Sequence, residues 1–381
     1  MPTSRFAINK GSQRLSGKIM SRVKTISVET GDSMIGTAII RLALAQLSDG
    51  HYPLIDDNPF APGEKFSISI SAPGGTDTTI FVGFVAAIRP HFESIESNCY
   101  LEILMADHAL ILNSEDRSVA YPDSSDSDIA GEILAKYNIG LESDQTDAKP
   151  DSEDIIQFQR TNDWSFLKYL AHRNGFTVYF QPDPVSGEAK CHFKKRPVDE
   201  SPQPDLTILR ENSNLAWIDF QISCDHPFER NVIDIDPIEK KMIRSDPSSF
   251  HNIMGDGLYV EETEKGVVRA GAGAASRHIR GFVPRDVSLN AETNGHVSQD
   301  HMVIQVAGSL SPSLYRSLLT ANAAALIKGV GERLSGTYYI NRLITTIENG
   351  DLTQQFFGIS NALGRVGSEQ FGQSGEEEAA L

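Results

Sequence analysis

FQRTNDWSFLKYLAHRNGFTVYF, from Phe158 to Phe180, is the most strongly patterned stretch of this chain. Thr161 or Asn162 offers a side-chain oxygen to the free N–H groups of a helix start. Trp164, Leu167, Leu170 and Ala171 then recur at spacings of three and four, which lays one apolar stripe along a short helix. His172 and Arg173 occupy its last turn, where positive charge suits the helix dipole. Gly175 supplies a left-handed stop, and Phe176–Phe180 follows as a strand of β-branched and aromatic residues. A turn in QPDPVSGE leads into a second strand over Ala189–Lys194. The segment predicts a small helix-plus-hairpin module with no catalytic pattern in it.

On its N-terminal side the chain is rich in strands. Residues 1–22 read as a flexible polar arm, and VKTISVET begins the ordered region at Val23. MIGTAIIRLALAQ, from Met34 to Gln46, fits a helix or a buried strand equally well. Lys65–Ala72, Thr78–Pro90 and Ser97–His108 alternate as strands, with Gly83 a candidate bulge. From Asn113 to Asp154 the composition turns polar and acidic around one helix candidate, Asp128–Ile139, capped by Ser127 or Asp128.

On the C-terminal side, residues 197–204 form a proline-rich link and Leu206–Ile243 carries strand patterns again. Residues 244–300 are poorly patterned and read as an extra loop, Met302–Gly308 as a strand, and Ser311–Gly331 as the longest helical pattern. Gly336–Leu363 reads as a hairpin turned at Asn349-Gly350, with Tyr338, Tyr339, Phe356 and Phe357 as core and interface residues. The resulting expectation is a mostly β chain with short helices (α+β). It has a β-domain over 23–112, a small mixed α/β insert over 113–204, a second β-domain over 205–365 and a disordered acidic tail over 366–381.

The chain has 381 residues, enough for two to four modules, and 40% are hydrophobic, enough for a sizeable core. A formal net charge of -17 repels phosphate backbones and argues against nucleic acid as the main ligand. Cys99, Cys191 and Cys224 are too scattered for a zinc module, and their odd number speaks against a disulfide framework. The N-terminus lacks the apolar core of a signal peptide, and no run of eighteen apolar residues offers a membrane span.

No HExxH or G-x-S-x-G occurs among the scattered histidines and serines. Gly271 and Gly273 lack the lysine and hydroxyl of a phosphate loop. Asp234 and Asp236, alternating on a strand, could pair as metal ligands but read more simply as a solvated sheet face. Asp49, Asp56 and Asp57 are acidic enough for a calcium loop but lack EF-hand spacing. Trp164 and Trp217 are candidate ligand platforms, with the helical position of Trp164 favouring a core role. No catalytic residue, metal site or cofactor is expected.

The Phe158–Phe180 stretch resembles a signature of the hub proteins of contractile phage tails and injection machines, the late control protein D family and the N-terminal part of VgrG. The residues that carry it are Thr161, Asp163, Trp164, Phe166, Leu167, Leu170, Ala171, Asn174, Gly175 and the strand Phe176–Phe180. GTYYINRLITTIENGDLTQQFFGISNALG is similar to the closing strands of that family, and the resemblance spans residues 23–365. It implies two barrel-like β-domains around the insert. It further implies a structural, non-enzymatic homotrimer that joins a six-fold inner tube to a three-fold spike, alongside other baseplate components. VgrG-type chains continue into a neck and spike; this sequence stops at residue 381, so the expected spike is another polypeptide. The protein would be made in the cytoplasm and built into the baseplate. A tail-borne cell-wall hydrolase and a carbohydrate-binding β-protein are the alternatives.

Overall fold

The computed structural model describes residues 5–71, 77–146, 157–198, 202–210, 212–223, 229–235, 240–245, 253–255, 257–259, 276–280, 286–311, 314–315, 317–348 and 350–364. Its strands run in three groups. The first holds β1 (Arg5–Lys10), β2 (Gln13–Arg14), β3 (Val23–Gly31), β4 (Thr37–Ala43), β5 (Lys65–Ser71), β6 (Asp77–His91) and β7 (Tyr100–Ala106). The middle group holds β8 (Val119–Tyr121), β9 (Gly140–Ser143), β10 (Gln157–Gln159), β11 (Phe176–Pro182) and β12 (Ala189–Lys195). The last begins with β13 (Gln203–Thr207), β14 (Leu215–Ile222), β15 (Glu229–Ile235), β16 (Met242–Arg244), β17 (Gly257–Leu258) and β18 (Ser276–Arg280). It ends with β19 (Ile304–Leu310), β20 (Ala323–Lys328), β21 (Gly336–Glu348), β22 (Asp351–Ser360) and β23 (Ala362–Leu363). The α-helices are α1 (Gly17–Met20), α2 (Pro53–Asp56), α3 (Ala109–Leu112), α4 (Asp126–Ala135), α5 (Asp163–Arg173) and α6 (Asp286–Asp300).

Thirteen strands of the first and last groups form one sheet. Its main path is β14-β19-β22-β21-β3-β4-β7-β6-β5-β1-β2, and β20 and β13 branch from β21. The branch follows from the length of β21. Its early residues, Gly336–Ile340, pair with β20, and its later ones, Arg342–Glu348, pair with β3. The change of partner falls at Asn341, where the β21–β22 register also shifts. Gly31 permits the close approach there, since a Cβ at that position would lie 2.6 Å from the Asn341 carbonyl oxygen.

This arrangement corrects the expectation of two barrel-like domains. A mostly β fold with short helices is present, but the sheet is open, with β14 and β2 at its two ends and no closed barrel among the described residues. Alternating strands need neighbours, and the sequence cannot say whether those neighbours close a ring or continue into the other half. Each half still has its own apolar core. Ile26, Ile40, Phe66, Ile68 and Ile103 fill the first, and Leu206, Ile304, Ile327, Tyr338 and Phe356 fill the second. The two meet along β3 and β21.

Other expectations change in detail. Residues 5–10, read within a flexible arm, pair with β5 through six registered positions. Met34–Gln46 resolves as a strand, β4. The described residues of 311–330 do not form the expected helix: Ala323–Lys328 is β20, buried along its middle and paired on both sides. A continuous apolar run in a doubly paired strand lacks the period-2 pattern that would have identified it. A helix occurs instead at Asp286–Asp300, inside the stretch read as loop. The β6 bulges fall at Ile80 and Ala86, which the registers skip. Gly83 is instead a close-approach site, its Cβ position 2.3 Å from the Ala106 carbonyl oxygen. Cys224, Asp236, Gly271, Gly273, Asn349 and the 366–381 tail lie outside the described residues.

Candidate functional site at the central module

α3–α5 and β8–β12 enclose a separate core in which Leu112, Ile133, Trp164, Leu167, Leu170 and Phe193 are buried. Two buried carboxylates hold the helices onto it. The first is Asp126. Ser125 caps α4, accepting from the Asp128 N–H at 3.2 Å while the Asp128 carboxylate accepts from the Ser125 N–H. Asp126 therefore sits in the first turn with its side chain turned inward, 1% exposed. It accepts from the Arg173 guanidinium through Nε and Nη2, from Asn174 Nδ2, and from Gln157 Nε2 at 2.9 Å. Arg173, expected as a charge that suits the helix dipole, is also buried, and its guanidinium lies 5.5 Å from the Tyr169 ring centre.

The second is Asp163, with no exposed surface. Its Oδ1 accepts from Gln159 Nε2 at 2.7 Å and its Oδ2 from Tyr137 Oη at 2.7 Å, with Arg117 Nε 3.3 Å away. Gln159 is oriented in turn by Tyr121, whose hydroxyl donates to Gln159 Oε1 at 2.8 Å. A buried carboxylate is tolerable only when paired and hydrogen-bonded, and both are.

The remaining signature residues are placed by the same module. Asn162, not Thr161, caps α5, accepting from the Ser165 N–H at 2.8 Å, while the Thr161 carbonyl accepts from Gln159 and from the Arg117 N–H. Phe166, Ala171 and Phe176 are core residues, and Phe180 packs its ring against Trp164 and His108. Gly175 has φ +68°, the left-handed stop. A Cβ there would lie 2.7 Å from Ser298 Oγ of α6. Gly295 of α6 in turn lies so close to the end of α5 that its Cβ position is 2.4 Å from the Arg173 carbonyl oxygen. Apart from Arg173, whose dipole reading missed its burial, the partners Asp126, Gln157, Gln159, Tyr121, Tyr137 and Arg117 were not singled out in the sequence. Asp126 and Tyr121 lie in a stretch whose acidic composition reads as loop.

The module meets both sheet halves at the turn between β3 and β4. The Asp32 N–H donates to the Asn341 carbonyl at 2.8 Å, tying that turn to β21. The Asp32 carboxylate pairs with Arg196 at 3.2 Å, and that guanidinium lies over the Tyr339 ring. Ser33, held at φ 53°, donates its N–H to Val178 of β11 at 3.0 Å. One turn thus bonds the module and the second half together.

A cavity of about 700 Å³ opens between the module and the first half, lined by Lys65, Phe84, His108, Tyr137, Gly140 and Lys190. Lys65 and Glu188 pair there. Burial pushes His108 down to about 4, aided by Lys65 and opposed by Glu188. His192, stacked on Tyr179, is lowered to about 4 by burial, with Glu142 opposing. Burial raises Asp107 to about 7 although it accepts from the Gly36 and Ala109 N–H groups. These groups are held by packing and none forms a nucleophile–base pair. Among the described residues no group of three or more His, Cys, Asp or Glu side chains is placed to hold a metal ion. Asp56 and Asp57 flank His51 at 3.3 and 2.9 Å, and Asp49 accepts from the His51 N–H. Asp234 lies on β15. Trp164 is core, whereas Trp217 is 41% exposed on β14. No helix among the described residues is long and apolar enough to cross a membrane.

A family model described as the Alg8 N-terminal domain matches residues 3–201. No curated protein matches the chain. Among solved structures, a tail protein from Neisseria meningitidis MC58 shares the fold with TM-score 0.66 at 9% identity, covering 94% of this chain and 96% of that one. The 43 kDa tail protein of prophage MuSo2 from Shewanella oneidensis gives TM-score 0.64 at 12% identity, covering 94% and 99%. The Francisella PdpA–VgrG complex, half-lidded, gives 0.57 at 10% identity, covering 94% of this chain and 58% of the matched one. The fold is therefore shared with phage tail and VgrG proteins across nearly the whole chain.

Proposed function

This chain belongs to the Alg8 N-terminal domain family, and from its fold we propose that it is a structural subunit of a phage tail or contractile injection apparatus. Its work on this reading is assembly: it is the baseplate hub, a homotrimer that connects a hexameric inner tube to a trimeric spike. One observation carries the reading. Two sheet halves with separate cores are fixed to one another through β21 and to a helical module through the Asp32–Ser33 turn, in a chain whose overall fold is similar to those of tail proteins over 94% of its length. Three copies would bring six sheet halves to a six-fold partner, so three-fold and six-fold symmetries meet in one ring. The halves need not be closed barrels for this, but each must present an equivalent docking surface, and the shared strand fixes how the two surfaces are related.

Native mass measurement and negative-stain imaging of the purified chain, alone and within particles isolated from its host, test the reading. The expected species is a three-fold ring. A stable dimer in the assembled particle, or a chain absent from that particle, overturns it.

A further inference from the structure

At one end of the first half, two loops that touch one another each expose apolar side chains. Leu47 is 47% exposed, Phe92 53% and Ile95 60%. Tyr52 packs edge-on against Phe92 at 5.4 Å, so the loops form one surface. The tip is ordered from within. The Glu93 N–H donates to Cys99 Sγ, Asn98 Nδ2 donates to Glu93 at 2.8 Å, Lys24 Nζ donates to the Ser97 carbonyl at 2.8 Å, and the Leu44 N–H donates to the Cys99 carbonyl at 3.1 Å. The same two loops expose the carboxylates Asp49, Asp56, Asp57, Glu93 and Glu96, with His51 beside Asp56 and Asp57, His91 beside Glu93, and the Lys24 ammonium bonded into the tip.

We infer that this acidic tip is a docking surface for a different protein, one that presents an apolar pocket bordered by Lys and Arg side chains. Exposed apolar residues held in place before binding are what an interface core requires, because little side-chain freedom is left to lose. The charge pattern selects the partner. Five exposed carboxylates on these loops repel anionic lipid and nucleic acid, and a second copy of a chain with net charge -17 meets them with like charge on average. A basic-rimmed partner matches both the carboxylates and the apolar side chains. The inference rests on the hub reading only in that it needs a multi-protein particle.

The test is a benzophenone amino acid in place of Phe92 in the full-length chain, irradiated within the assembled particle. The presence of the chain in the particle reports on the hub reading alone; the adduct reports on the tip. The expected result is one adduct, to a different subunit, whose linked peptide carries basic residues around apolar ones. Adding Glu96→Lys, whose exposed side chain takes no part in the bonds that order the tip, should lower the yield about tenfold, as reversed interfacial charge does, with thermal melting unchanged. An adduct to a second copy, no adduct from incorporated chains, or a yield indifferent to charge reversal overturns the proposal. Ile95→Asp gives an independent check: it should remove the subunit contact while the chain still folds, and a retained contact counts against the tip.

Discussion

The sheet halves and the central module solve the same problem by different chemistry. In the sheet, burial alternates along strands such as β4, where Ala38, Ile40 and Leu42 face inward, and stability is spread over many equivalent apolar positions. In the module, two carboxylates with no more than 1% exposure collect hydrogen bonds from helices and strands far apart in sequence. A sheet can add or lose a residue's worth of packing gradually. The module depends on a few polar contacts that must all be made, since each unpaired group would be stranded without water.

The largest expected effect breaks that contrast at its strongest point. Arg173→Ala leaves Asp126 buried without its cation and should cost ~3–5 kcal/mol in denaturant unfolding. Replacing the pair together, Asp126→Leu with Arg173→Met, should recover much of the loss; if the double variant is as unstable as the single, the ion pair is not the anchor. Trp164→Ala should cost a comparable ~3–5 kcal/mol by opening a void in the module core. An unchanged melting temperature would contradict its burial.

A smaller effect concerns pH. Burial raises Asp107 from its ordinary 3.8 to about 7, so the folded chain keeps a proton that the unfolded chain releases. Its contribution to stability is therefore fully present below about 3.8 and is lost as pH rises toward about 7. His108 and His192, lowered from 6.5 to about 4, act the other way, weakening the fold as pH falls through that window. The informative quantity is the difference between the wild type and Asp107→Asn. Denaturation from pH 4 to 7 should show the variant gaining relative to wild type as pH rises; a constant difference would mean that Asp107 titrates normally. Smallest is Tyr121→Phe, which strips Gln159 Oε1 of its donor and should cost ~1 kcal/mol. No loss would show that water replaces the hydroxyl and that the Asp163 network is looser than its geometry.

What could be read in advance divides along the same line. The α5 helix, its cap, its glycine stop and the following strand were legible because each signal is local, lying within a few residues of its effect. The buried carboxylates were not. Asp126 sits in a serine- and aspartate-rich run whose composition matches solvent-exposed loop, and its partner Arg173 lies 47 residues away. In the sheet, the individual strands announced themselves, but the β3–β21 pairing joins residues more than 300 apart and no local pattern encodes it. The barrel expectation failed there. β20 was misread for a related reason, since pairing on both sides buries Ala324–Ile327 without alternation. α6 carries Gly295 in its interior, a poor helix former retained where two backbones touch.

The strand that changes partner at Asn341 has a mechanical consequence. Because β21 is covalently continuous from one half to the other, thrust delivered to either half travels along a single extended backbone and not across a swivelling linker. Bending the subunit at that seam would require tearing rungs from β3 or β20. A part built this way behaves as a stiff beam that resists folding in on itself.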